Sequence, residues 1–144
     1  MTRRTLSLER LVSADPSEIF DILADPSQHA AIDGSSTVRG HIGQQDRLAL
    51  GSTFAMKMRL GLPYRIKNRV LEFEENRLIA WGHLGGHRWR FELQASGSKT
   101  LVRETFDWST SRWPFMIELA RYPRRHKKNI EATLERLASL VESP

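Results

Sequence analysis

The stretch SADPSEIFDILADPSQHAAIDG, Ser13 to Gly34, carries Ala-Asp-Pro-Ser twice, at 14–17 and at 24–27. Each copy reads as a helix start. Asp15 stands at a capping position, Pro16 suits the first helical residue, and Glu18 completes an Asp-x-x-Glu variant of the capping box. Ile19, Phe20, Ile22 and Leu23 follow at helical spacing and make one apolar face. The second copy repeats the signal with Asp25, Pro26 and Gln28, and Pro26 also ends the first helix by disfavouring helical geometry at Asp25. The duplication therefore predicts two short helices meeting at an angle, the second ending near Asp33 and Gly34. It is punctuation and not a repeat.

On the N-terminal side, RTLSLERLV (4–12) alternates Leu6 and Leu8 with Thr5, Ser7 and Glu9, the pattern of a strand. On the C-terminal side six more strand patterns run from Ser35 to Ser109: STVRGHI (36–42), STFAMKMRL (52–60), YRIKNRVLEF (64–73), LIAWGH (78–83), HRWRFELQ (87–94) and TLVRETFDWS (100–109). The later ones are separated by the turn segments GLP (61–63), EENR (74–77), LGG (84–86) and SGSK (96–99), short enough to make consecutive strands antiparallel neighbours. A shift of phase near Val70 and Leu71 predicts a bulge. His87, Trp89, Phe91 and Leu93 alternate with Arg88, Arg90, Glu92 and Gln94, as expected of a sheet buried on one face. The period then changes. Ile130, Leu134, Leu137 and Val141 form the stripe of a long amphipathic helix, with Pro123 in its first turn, and WPFMIELARY (113–122) reads as a short helix or an ordered lid.

The expected fold class is α+β: a seven-stranded antiparallel curved sheet, two short helices after strand 1, and a long C-terminal helix packed across the sheet. The apolar sheet face needs a cover, and only the last helix is long enough. The two small helices wedge one end, leaving room for a cavity between sheet and helix. No linker or low-complexity tract interrupts residues 1–144, which read as a single domain.

A chain of 144 residues with 40% hydrophobic and 27% charged residues has a globular composition. The absence of cysteine excludes disulfides, thiolate metal sites, iron–sulfur clusters and cysteine nucleophiles, and fits a cytoplasmic protein. MTRRTLSLERL has no signal-peptide core, and apolar runs such as LIAW (78–81) fall far short of the roughly 20 residues of a membrane span. The net charge of +5 is partly local: RYPRRHKK (121–128) holds five Lys and Arg residues. The other basic residues read as spread over strands and turns among carboxylates.

The segments SADPSEIFDILADPSQHAAIDGSS, LIAWGH, HRWRFEL, TLVRETFDWS and IEATLERLASLVE resemble the polyketide cyclase/dehydrase and lipid-transport family. That family belongs to the START-like, birch-pollen-allergen-like helix-grip superfamily (SRPBCC). The resemblance runs from about Thr5 to Glu142 and implies a helix-grip fold with an internal ligand cavity. It is specific for fold and poor for function, because the superfamily spans lipid carriers, hormone receptors, aromatase/cyclases and stress proteins. One position departs from it: the aromatic residue that commonly precedes the Asp-Gly after the second helix is Ile32 here.

The apolar strand phase directs Phe54, Met56, Met58, Ile66, Trp89 and Phe91 toward the interior, either as core packing or as a cavity wall. Trp81, Trp108 and Trp113 belong to the same pool, and Ile32 stands at the expected mouth. Polar residues in the apolar phase are more telling. Asn68 falls between Ile66 and Val70, and Glu104 between Val102 and Phe106, so each is a polar handle in an apolar interior or part of a neutralised structural network. They are the catalytic candidates, while Asp107, Arg69, Arg103 and the histidines supply acid–base groups without a constellation, and no triad, P-loop or cyclase-specific motif is matched. His83 and His87 flank LGG, where two glycines defeat the helical spacing a metal site would use, so no metal and no cofactor is expected. RRHKK (124–128) has no interleaved stacking aromatics, and it reads as a solvated basic surface in preference to a nucleic-acid site.

The expected partner is therefore a small hydrophobic or amphipathic molecule, bound in a cavity of about 300 Å³ or more. The first alternative is a cyclase or dehydratase acting on a polyketide-like substrate. The second is a partner- or nucleic-acid-associated module using residues 121–128.

Overall fold

The structure, a computed structural model, describes residues 4–34, 38–41, 46–82, 86–111 and 122–142. Its elements are β1 (Thr5–Val12), α1 (Pro16–Leu23), a 3-10 turn (Pro26–Gln28), α2 (His29–Ile32), β2 (Val38–His41), β3 (Thr53–Leu60), β4 (Leu62–Glu74), β5 (Leu78–Gly82), β6 (Arg88–Ser96), β7 (Lys99–Asp107) and α3 (Tyr122–Val141). The strands form one seven-stranded antiparallel sheet in the order β1-β7-β6-β5-β4-β3-β2. Each strand after β2 pairs with its predecessor, as short turns require, and β1 closes against β7. Helix α3 packs across the sheet on β1 and β7.

The doubled Ala-Asp-Pro-Ser does start two helical segments, but the two aspartates act differently. The Asp25 carboxylate accepts from the Ser27 amide at 3.0 Å and the Ser27 hydroxyl at 2.6 Å. The Asp15 side chain makes no capping bond. Its backbone carbonyl instead accepts from Glu18 and Ile19, and Pro16 supplies the preset backbone angle, so the first helix starts without the expected capping box.

The β3–β4 turn is tighter than GLP implied. Leu60 pairs directly with Leu62 around Gly61, whose φ of +76° only glycine adopts easily, so β4 begins at Leu62 and Pro63 lies within the strand opposite Arg59. The bulge expected near Val70 and Leu71 is present as a register shift between Val70 and Glu72.

The core lies between the inner sheet face and the helices. Phe20 on α1 meets the Phe73 ring edge-on at 5.4 Å, which seats the helical wedge at one end of the sheet. Ile130, Leu134, Leu137 and Ala138 of α3 are buried on the stripe read from the sequence, and Val141 is half-buried against them. Buried Thr100 ties the wedge to β7 by donating to the Ala14 carbonyl at 2.7 Å. Thr100→Val keeps the shape and removes the donor. It is expected to lower stability by about 1–2 kcal/mol in urea unfolding, and an unchanged midpoint would show that this bond adds nothing.

Candidate functional site

Register places the expected interior residues on one sheet face. Phe54 stands opposite Asn68 and Met56 opposite Ile66, while Trp81 faces Trp89, Trp89 faces Phe106, and Phe91 faces both Ile79 and Glu104. Phe54, Met56, Asn68, Phe91, Glu104 and Trp108 are buried, as is Ile32 on α2; Met58, Ile66, Trp81 and Trp89 are half-buried. Two-residue alternation suffices for this, because adjacent antiparallel strands present opposed residues to the same side.

The interior face carries two groups of packed rings. The Trp81 ring lies 5.6 Å from Phe91 and 5.7 Å from Phe54, and it stacks on His29 at 4.8 Å. A second group joins Trp89 to Phe106 at 4.6 Å and Phe106 to Trp108 at 5.5 Å. His29 was not singled out from the sequence, although it stands three residues before Ile32 on the same helical face. It is buried, with Nε2 2.9 Å from the Leu23 carbonyl, and so links the aromatic layer to the end of α1.

Glu104 is the polar anomaly of this layer. It is only 3% exposed, and its Oε1 is buried without a hydrogen-bond partner among the described residues. Its cross-strand neighbours are apolar, Leu8 on one side and Phe91 on the other. Burial away from water, and secondarily the negative charge of Asp33, push its pKa well above the usual carboxyl range. A carboxyl so placed favours the protonated form, which can both donate and accept a hydrogen bond. Asp33 sits just past α2, where its Oδ2 accepts from the Val38 amide at 2.9 Å. Asn68 is buried opposite Phe54, in the same apolar setting.

Among the described residues, the concavities found lie on the other side of the sheet. The larger, about 950 Å³, is bordered by Glu9, Arg90, Glu92, Arg103 and the Glu74–Leu78 turn. The smaller, about 220 Å³, lies beside Thr5, Glu72, Arg88 and Asp107. The inner face of the described sheet is lined by the two groups of rings.

His83 and Trp113 lie outside the described residues, while His87 is half-buried with its ring 5.3 Å from Phe106. No group of three or more His, Cys, Asp or Glu residues that could hold a metal occurs among the described residues. Of the basic segment 121–128, Lys127 and Lys128 are exposed and the other side chains lie outside the described ones.

The even mixing of basic residues with carboxylates holds for only half of the sheet. There Arg90 pairs with Glu72 at 2.9 Å and Glu92 at 3.2 Å, Arg88 lies 3.8 Å from Glu72, and Arg103 bonds Glu9. The cations of β3 and β4 have no such partners among the described residues.

No family model matches the chain. The uncharacterized protein Rv0088 of Mycobacterium tuberculosis strain H37Rv is 42% identical over 133 residues, 88% of this chain and 59% of that protein. The chain thus spans less than two thirds of that relative's length. Protein CV1439 from Chromobacterium violaceum superposes with a TM-score of 0.74 at 16% identity, over 98% of this chain and 99% of that one. The KanY protein does so with a TM-score of 0.75, also at 16% identity, over 99% of this chain and 100% of that one. At such identities the likeness is one of architecture. The curved antiparallel sheet, the helices after β1 and the long C-terminal helix across the sheet give the chain a helix-grip fold, the architecture it shares with these proteins.

Proposed function

We propose that the protein binds or carries a small amphipathic molecule, lipid- or polyketide-like, between the inner sheet face and α3, and that it acts in the cytoplasm. The observation that carries this reading is the buried Glu104 Oε1, which has no hydrogen-bond partner among the described residues, in an aromatic wall. A buried polar atom without a partner costs free energy, and a ligand hydroxyl or carbonyl reaching Oε1 removes that cost. Phe54, Trp81, Trp89 and Phe91 then supply the apolar contact, with Ile32 at the mouth, Met56, Met58 and Ile66 as adaptable wall, Asn68 as a second polar handle and Trp108 at the far side. The ligand enters by parting the ring layer, and no cofactor is needed.

Titration with fatty acids, sterols and aromatic polyketides is expected to change tryptophan fluorescence, since Trp81 and Trp89 sit in the wall. Native mass spectrometry of freshly purified protein is expected to find a co-purified ligand. Glu104→Gln combined with Asn68→Ala should weaken the best polar-headed probe about tenfold. No fluorescence response to any probe, together with a bare mass, would defeat the proposal.

A second reading, a cyclase or dehydratase, draws on the raised pKa of Glu104. A carboxyl that burial keeps protonated above the ordinary carboxyl range is suited to deliver a proton to a carbonyl or a leaving hydroxyl. Turnover of a polyketide-like substrate that survives the same double substitution would remove both candidate residues.

A further inference from the structure

The positive charge of this chain is segregated. Between Arg47 and Leu71 the sequence contains no Asp or Glu. That run folds into the β3–β4 hairpin, where Lys57 stands directly opposite Arg65, with Arg59, Lys67 and Arg69 at the other outward positions. All five are exposed, and none makes an ion pair among the described residues. The neighbouring strands do not neutralise them: β2 reads Val-Arg-Gly-His, and Gly82 of β5 stands opposite Arg69. Like charges placed directly across a strand pair oppose folding, so the ladder is not explained by stability.

The same hairpin exposes apolar side chains at its tip. Leu62 is 79% exposed and Tyr64 is 42% exposed, with Pro63 between them also exposed. Tyr64 pairs with Met58 and Leu62 with Leu60, so they stand on the face opposite the cations. The hairpin is therefore amphipathic across its thickness, with an apolar end and a cationic side.

We propose that the β3–β4 hairpin docks the protein on an anionic lipid bilayer. Leu62 and Tyr64 enter the interface, and Lys57, Arg59, Arg65, Lys67 and Arg69 lie against acidic headgroups. A nucleic acid would match the charge but has no use for a bare leucine at the tip, so the bilayer is the better fit. Tyr64 stands opposite Met58, so this surface adjoins one end of the interior face, but the assignment does not depend on a ligand there.

Co-sedimentation with vesicles tests the assignment. Binding is expected to vesicles containing about one third phosphatidylglycerol, not to pure phosphatidylcholine, and to weaken steeply as salt rises. Each surface cation contributes about fivefold, so Lys57→Gln with Lys67→Gln should lower affinity about 25-fold. Leu62→Ser with Tyr64→Ser should lower it about tenfold while leaving the thermal melt unchanged, since both residues are exposed. Absence of binding, or equal binding to both vesicle types, would overturn the proposal. So would tip variants that bind vesicles as the wild type does. Tight salt-sensitive binding to DNA or RNA that the lysine pair weakens, without vesicle binding, would reassign the face to nucleic acid.

Discussion

A Glu104→Gln chain is expected to keep stability that the wild type loses as pH rises above the ordinary carboxyl range. Glu104 is buried, its Oε1 has no donor, and burial holds its pKa well above that of an exposed carboxyl. In the unfolded chain the same group titrates near its ordinary value. Between the ordinary and the raised pKa the folded state therefore binds more protons than the unfolded state, and stability must fall as pH rises. The contribution is fully present below the unfolded pKa and is lost as pH climbs through the folded one. The slope for one such group approaches about 1.4 kcal/mol per pH unit within that window. The substituted amide cannot ionise and has nearly the same shape as the carboxyl it replaces. The difference between the two chains should be small in acid and should grow in favour of the variant as pH rises. Urea unfolding of both at a series of pH values reads this directly, because all other titrating groups cancel in the difference. Parallel stability curves would mean that Glu104 is not desolvated in solution.

Gly34→Ala is expected to be among the most damaging single-methyl changes in the chain. Gly34 follows α2 at the point where the helical wedge meets α3, and its amide donates to the Thr133 hydroxyl at 2.8 Å. A Cβ added there would lie 2.1 Å from the Asn129 carbonyl oxygen and 2.7 Å from the Thr133 amide nitrogen. Both are backbone atoms inside a long helix, so neither can rotate away as a side-chain end would. Either α3 moves off the wedge or the Asp33–Gly34 backbone shifts and loses its hydrogen bond. A cost of about 3 kcal/mol or more is expected, a fall in Tm on the order of 10 °C for a domain of this size. A melt within about 2 °C of the wild type would show that α3 does not pack this closely on the wedge.

The helices and strands were legible because their signals are local. Pro16 and Pro26 punctuate, the alternation around Trp89 and Phe91 has period two, and the phase slip at Val70 marks the bulge within a single strand. Even so, Asp15 shows what a residue type leaves open: whether a side chain turns back onto its helix depends on packing around it. The site was legible as a face and not as a space. Phase alone assembled Phe54, Asn68, Phe91 and Glu104, whereas the ring group around Trp81 depends on His29, contributed by a helix from outside the sheet.

What the sequence by itself determined is the order of elements, their faces and the wedge written by the doubled Ala-Asp-Pro-Ser. Periodicity and backbone restriction act over a few residues and need no tertiary contact. Only the tertiary structure decided that, among the described residues, Glu104 has no partner for Oε1 and the carboxylates gather on one half of the outer face, away from the β3–β4 cations. Both depend on pairing between strands far apart in the chain, where solvent exclusion and charge spacing are set by neighbours in space.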